Sequence, residues 1–530
     1  MIDKKAIAKF LSAPRDDFSF VKQLPRADLL DALHRLTPCP DTDDLFTHQL
    51  AGLLVGIACP TFCFWYGMGT GKTALALRLI EYWQSAVDVQ CALVLVPSQE
   101  AVYNWEAEIA KWAPSQPVLA LADHSSIDKA EQWLQFERGI ILVAYPSLNA
   151  MVTRFEDRLD KAGRRTGKQK RAPRRSAIDT LCESLGCLIA DESTEFKETS
   201  SLTYRIVRAF AKRIPIRYAL AGRPFGRDPA DLWGQQFVID GGESLGTTLG
   251  MFREAFYDKK KKYFGGPFSY DYTVRKDMLD ELHRIAQHRS LRYSTEECVD
   301  LPPLVRVVRI VRLPDETLAY YDKIVKHLIS ARGDRKVIQN DFIRLRQLSS
   351  GFLGIANDEF GAKVEIVFDT NPKLDLTVEL LRQMPGKAVV FFEFIASGKA
   401  ISTRLKKEKI GHSLIWSGTP DRRAALDKFL KDPSCEVLVL NHMIGAYSLN
   451  LQVATTTLFY ESPIGAIDRD QAERRTWRAG QAKRCVMFDI VAEGCADSAI
   501  LAMHRSGQSM FDAVIRDPSM LVRKAAQRGA

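Results

Sequence analysis

The sequence predicts an α/β chain in which two tandem regions of parallel sheet and crossover helix are separated by a mainly helical insertion. Three observations carry this. Short apolar runs alternate with amphipathic segments on both sides of residues 246–370, the pattern of strands joined by packed helices. The stretch between lacks that alternation and reads as helical and basic. Within the first region a glycine-rich turn links an apolar run directly to a helical one, as nucleotide-binding α/β units require.

Taken in order, residues 1–44 form an N-terminal helical segment, and 45–245 form the first lobe. Its candidate strands are Phe62–Tyr66, Cys91–Pro97, Gly139–Tyr145, Cys187–Asp191 and Arg217–Gly222, short β-branched and aromatic runs bounded by turn residues. Residues 154–180 interrupt this lobe as a polar, arginine-rich insertion. Residues 246–370 are the helical insertion, with Leu318–Ser330 and Asp341–Ser349 as its best helical patterns. The second lobe, 371–505, has candidate strands Lys387–Phe394, His412–Gly418, Glu436–Asn441, Thr455–Glu461 and Arg484–Ala492. A basic tail, 506–530, completes the chain.

Composition narrows the function classes. With 46% hydrophobic and 26% charged residues over 530 positions, the chain can bury several cores and is neither disordered nor collagen-like. No run approaches the length of a membrane span, and no secretory signal is visible, so a cytoplasmic location is expected, nucleoid-associated or in a host cytoplasm if the chain is viral. The 10 cysteines form no CxxC pair, which favours reduced thiols over a zinc site. The 74 basic and 65 acidic residues leave a net charge of +9, but the distribution is uneven. From Arg154 to Arg175 ten Lys or Arg meet three acids, and Lys259–Lys262 precede Tyr263 and Phe264. Such runs can bind a phosphate backbone or simply face solvent.

The chemistry begins at Gly67-Met68-Gly69-Thr70-Gly71-Lys72-Thr73. A glycine turn from strand to helix lets backbone N–H groups wrap phosphates at a helix N-terminus. Lys72 would neutralise the β- and γ-phosphates, and the Thr73 hydroxyl would ligate Mg²⁺. A partner acidic pair ends the run Cys187-Leu188-Ile189-Ala190-Asp191-Glu192. Asp191 is the candidate Mg²⁺ ligand, and Glu192 the base that orients and deprotonates water. Far downstream, Gln471 opens a segment in which the spacing of Arg475 and Arg478 puts both guanidinia on one helical face. Such cations stabilise the charge that phosphoryl transfer spreads over the γ-oxygens.

The pattern QxxxRxxRxGQ over Gln471–Gln481 resembles motif VI of superfamily 2 helicases, in the version of the Swi/Snf-like DNA translocases. The remaining motifs follow in order. Leu45–Gln49 is similar to the upstream glutamine motif, in which Gln49 would recognise adenine. Gly67–Thr73 is similar to motif I, Val96–Ser98 with Asn104-Trp105 to motif Ia, Val143–Tyr145 to motif Ib and Asp191–Thr194 to motif II. Leu220–Pro224 with Asp231–Trp233 resembles motif III, Val389–Phe394 motif IV and Asn441–Ala454 motif V. Departures fall at Thr194, Ala221, Arg223, Arg227, Asn441-His442, Ser448, Arg474 and Trp477.

The resemblance implies two RecA-like lobes around ATP and Mg²⁺, with Lys72, Glu192, Gln471, Arg475 and Arg478 in catalysis and Gly67–Thr73 holding nucleotide. It further implies nucleic-acid contacts at Ser98, Asn104, Trp105, Phe394 and Asn450, with double-stranded DNA as partner and little sequence preference. The expected protein is an ATP-driven translocase, with targeting left to protein partners and no membrane involved. Two other readings remain open: a strand-separating DNA or RNA helicase, and a nucleotide-binding scaffold without turnover.

Overall fold

The computed structural model describes residues 4–122, 125–159, 165–222, 228–261, 270–298, 301–330, 334–355, 364–445, 449–478 and 480–506. The chain divides into two compact units, Met1–Val299 and Asp300–Ala530.

In chain order the first unit contains β1 (Thr61–Tyr66), β2 (Cys91–Val96), β3 (Val118–Ala120), β4 (Gly139–Ala144), β5 (Thr153–Leu159) and β6 (Arg165–Pro173). Then come β7 (Leu185–Asp191), β8 (Ile216–Leu220), β9 (Tyr257–Lys261), β10 (Tyr270–Val274) and β11 (Ser290–Tyr293). Seven of these form a sheet in the order β11-β1-β8-β7-β2-β4-β3, parallel throughout. Helices cover both faces, so the strands are apolar on both sides. Along β1, Cys63 and Trp65 enter one core while Phe62, Phe64 and Tyr66 enter the other, as a two-residue side-chain period demands. The arginine-rich insertion folds as an antiparallel hairpin, β5–β6, followed by the helix Arg175–Leu181.

The second unit contains β12 (Leu304–Val311), the hairpin of β13 (Phe352–Ile355) and β14 (Val364–Val367), and then β15 (Lys387–Phe392). It continues with β16 (His412–Ile415), β17 (Val437–Asn441), β18 (Ala454–Phe459) and β19 (Cys485–Ala492). Its main sheet, β12-β19-β18-β15-β17-β16, is again parallel throughout and separates two cores.

The stretch 246–370 does not stand apart as an insertion. It contains helices at Leu249–Phe256, Leu279–Ala286, Asp315–Ser330 and Arg335–Ser349, the last two over the expected Leu318–Ser330 and Asp341–Ser349, but it divides between the units. β11 adds to the edge of the first sheet beside β1, and β12 to the edge of the second beside β19. Both are edge strands, one four residues long and one carrying Arg306 and Arg309 among its valines, so neither produces a continuous apolar run. Residues 507–530 of the basic tail lie outside the described residues, as do Arg223, Pro224, Arg227, Ser448 and the Lys262–Phe264 part of the second basic cluster. Among the described residues no helix is long and apolar enough to cross a membrane. The cysteines are free thiols, buried except at Cys39 and Cys298.

Candidate active site

The phosphate loop leaves β1 at Tyr66 and ends at the helix Lys72–Val87. Gly69 and Gly71 take left-handed backbone angles, φ +76° and +77°, where a side chain is costly. At Gly71 a Cβ would also meet Gln49 Nε2 at 2.1 Å. The turn therefore delivers the free N–H groups of the helix's first turn toward the loop mouth, where an anion is favoured. Lys72 Nζ rests on two carbonyls, Tyr66 O at 3.0 Å and Gly67 O at 3.3 Å, neutral partners that a phosphate can replace. Lys72 and Thr73 are half-buried, whereas Thr70 is buried and donates its hydroxyl to Gly67 O at 2.8 Å.

Two flanking segments hold this loop. From the upstream helix Thr47–Ala58, Gln49 Nε2 donates to Gly71 O at 2.9 Å while its Oε1 accepts the Phe46 N–H at 2.7 Å. Gln49 is buried, so the structure gives its amide to the loop and the helix start; presenting it to a base would break one of those bonds. His48 Nε2 donates to Thr70 O at 2.7 Å. Burial lowers the His48 pKa against this bond. The exposed ring of Phe46 stacks on His48 with centroids 5.8 Å apart. From the downstream side, Gly67 N donates to Tyr293 O at 2.8 Å and Thr295 Oγ1 to Met68 O at 3.0 Å. Sequence reasoning missed Tyr293 and Thr295. Tyr293 ends and Thr295 follows a strand too short to announce itself, and both lie over 220 residues from the loop they fix.

The acidic pair sits on the same edge of the sheet. Register aligns Phe64 with Leu220 and Leu220 with Asp191, so the ends of β1 and β7 stand two strand spacings apart, roughly 10 Å. Asp191 Oδ2 accepts the indole N–H of Trp105 at 2.8 Å, and Oδ1 accepts the Glu192 amide at 3.0 Å. Burial raises the Asp191 pKa; Lys72, Trp105 and the Glu192 amide oppose that rise without cancelling it. Tyr145, the end of the motif-Ib-like segment, donates its hydroxyl to Asp191 O at 2.9 Å. Glu192 has φ +46°, a left-handed conformation rare outside glycine and asparagine, which aims the chain sharply out of the strand. Next to it, buried Ser193 donates to Gln235 Oε1 at 2.7 Å, tying the acidic pair to the helix Ala230–Asp240.

Trp105 needs a correction. The sequence placed it on nucleic acid, but it is only 3% exposed, and its polar atom is engaged by Asp191. It positions the acid. Of its neighbours, Ser98 caps the helix Gln99–Trp112 by accepting the Ala101 N–H at 3.3 Å, and Ser98 and Asn104 are half-buried.

In the second unit the helix Ala466–Glu473 carries Gln471, half-buried. The expectation that Arg475 and Arg478 share a helical face is not met, because the helix stops at Glu473. Turns replace it: Arg475 N donates to Ala472 O at 3.2 Å and Trp477 N to Glu473 O at 3.1 Å. Beyond the turns, Gln481 Nε2 donates to the carbonyls of Gln452 at 2.8 Å, Ala454 at 3.2 Å and Thr476 at 3.2 Å, tying the segment to the chain around the start of β18. The two arginines consequently differ. Arg475 is 1% exposed, while Arg478 is half-buried. Phe394 is half-buried with its ring edge-to-face on Phe352 at 5.6 Å, and Asn450 is exposed. Next to Phe394 in the chain lies a clamp. Glu393 is gripped by Arg346 at 2.6 and 2.5 Å and faces His442 at 3.5 Å.

Comparison with known proteins places this arrangement. The model of the SNF2-related domain matches residues 65–354, and that of the helicase conserved C-terminal domain matches residues 372–480. The chain is 23% identical over 466 residues to the SWI/SNF chromatin-remodeling complex subunit snf22 of Schizosaccharomyces pombe, covering 82% of this chain and 26% of that protein. It is 21% identical over 504 residues to the DNA repair and recombination protein RAD54-like of Drosophila willistoni, covering 84% and 59%. A putative protein, p41, of Acyrthosiphon pisum secondary endosymbiont phage 1 is 24% identical over 306 residues, covering 54% and 59%. The chain thus spans less than two thirds of each of these relatives. Among solved structures, the SWI2/SNF2 ATPase core of Sulfolobus solfataricus in complex with dsDNA aligns over 91% of this chain and 98% of its own, at 18% identity and a TM-score of 0.38.

Proposed function

The chain belongs to the SNF2-related domain family, and from that premise we propose that it is an ATP-driven motor that moves along or remodels duplex DNA with little sequence preference. The observation that supports this most is the loop Gly67–Lys72, with its left-handed glycines, on the same sheet edge as Asp191 and Glu192.

In the proposed reaction the loop amides and Lys72 take the β- and γ-phosphates. Thr73 and Asp191 fit Mg²⁺: a hydroxyl and an under-compensated carboxylate are the hard oxygen donors it prefers. When bound, the ion neutralises phosphate charge. Glu192 orients a water and takes its proton as the water oxygen bonds to the γ-phosphorus; the bond to the bridging oxygen breaks, leaving ADP and phosphate. Arg478 supplies the cation for the transferring group, aided by Gln471. Arg475, being buried, serves better as a support for that segment than as the finger itself. Phe46 offers a flat apolar face beside the loop for a base. We further propose that each unit acts as one motor lobe, that Ser98, Asn104, Phe394 and Asn450 contact the DNA backbone, and that the protein works in the cytoplasm.

The test is steady-state phosphate release with duplex DNA, single-stranded DNA and RNA in parallel. Duplex DNA should stimulate most. Equal or greater stimulation by a single strand would favour strand separation, and no turnover with any polymer would leave a nucleotide-binding scaffold.

A further inference from the structure

We infer that the hairpin β9–β10 is a grip for the phosphate backbone of duplex DNA, a site additional to the motif-borne contacts and one that rests on the motor reading above. Cross-strand register pairs Lys259 with Tyr272 and Lys261 with Tyr270. Residues directly opposite in an antiparallel ladder project from the same face, so two lysines and two tyrosines share one side. Asp258 and Lys260 take the alternate positions. The lysines 259–261 are exposed, as is Tyr272. Lys259 Nζ lies 4.2 Å from the Tyr270 ring centre, and the Arg253 guanidinium lies 4.7 Å from that of Tyr272. The rings steady long cationic side chains while their charged ends stay in water. Lys259 and Lys261 stand roughly 7 Å apart along the strand. Their repulsion is relieved by a row of anions, and a polyphosphate backbone supplies one.

A free two-stranded hairpin is marginal in water, but this one is fastened. Tyr257 is buried at its base, where its hydroxyl accepts the Ala230 N–H at 2.8 Å and donates to Asp228. Cations held in place lose less freedom on binding than cations on a loose loop. The fastening point is the start of the helix whose Gln235 holds Ser193, beside Glu192, so the grip and the acidic pair share one rigid connector.

The test uses the full chain and a labelled blunt duplex of mixed sequence, with affinity read by fluorescence anisotropy across a salt series. Lys259→Gln/Lys261→Gln should lower the slope of log affinity against log salt by roughly two, at about 0.9 for each phosphate that is no longer neutralised. Lys259→Arg/Lys261→Arg should keep the parent slope. Lys260→Gln, in the other register, should also keep it. Melting of each variant without DNA confirms that it is folded. A parental slope in the double glutamine variant, or an equal drop in Lys260→Gln, overturns the grip and leaves the motor reading intact. A parent that binds no duplex at any salt overturns both.

Discussion

Each unit shelters a carboxylate at or just beyond the end of a central strand, and the two are treated in opposite ways. Glu393, in the second unit, is raised by burial, but His442 and Arg346 overcome that and bring it down to about 2. Asp191, in the first, is also raised by burial, and the opposing groups fail to bring it back. The difference lies in the donors. Glu393 has a guanidinium on both oxygens, whereas Asp191 receives two neutral N–H groups, from Trp105 and its own neighbour's amide. The cations differ similarly. Arg346 is 1% exposed and locked on its acid, while half-buried Lys72 rests on carbonyls. Burial alone does not distinguish a structural ion pair from a carboxylate able to take a cation; the charge of the groups already bound does.

The largest test of that contrast is Lys72→Ala. If Lys72 is held in reserve for phosphate, its removal should take phosphate release to background with little change in melting temperature, because what goes with it is two hydrogen bonds to carbonyls and a charge that only partly offsets the burial of Asp191. Near-parental turnover would end the assignment. Next is Arg478→Ala, which should slow hydrolysis by about 10³-fold, as removal of an arginine finger does, while a fluorescent ATP analogue still binds. Arg475→Ala should act differently, lowering melting temperature first, since it empties a fully buried position. If Arg475→Ala instead kills turnover in a stable protein, the two roles are exchanged.

Trp105→Phe comes third. Removing the N–H that holds Asp191 Oδ2 should weaken the Mg²⁺-dependent part of nucleotide affinity by about 10- to 100-fold, the usual cost of deleting an outer partner of a metal ligand. Nucleotide affinity in EDTA should not move. A variant altered only in DNA affinity would return Trp105 to the polymer surface and remove it from the acid.

What the sequence made legible follows from the same physics. The strands of both sheets stood out because segments such as Cys91–Val96 are buried on both faces, and the phosphate loop because its backbone turn leaves glycine little competition. The edge strands beside β1 and β19 were not legible. Ser290–Tyr293 is short, and Leu304–Val311 mixes arginines with exposed Val308 and Ile310, so residues 246–370 read as a separate insertion when they complete both units. Roles set by distant partners were hidden too. Trp105 lies 86 residues from Asp191, and helical spacing alone does not reveal that the helix stops at Glu473.

The smallest effect is expected at Glu393, and it separates charge from shape. A carboxyl whose folded pKa lies below its unfolded one contributes stability that is present above the unfolded value and lost as pH falls toward the folded one. The window here runs from the ordinary 4.5 down to about 2. Glu393→Gln keeps the outline but leaves the Arg346 guanidinium without its counter-charge, which should cost about 3 kcal/mol at neutral pH. Denaturant midpoints of parent and variant should therefore converge as pH is lowered through that window, because the parent loses the same charge by protonation. A gap that stays constant with pH would mean that the clamp works through hydrogen-bond geometry alone, and the contrast with Asp191 would then be one of packing, not of charge.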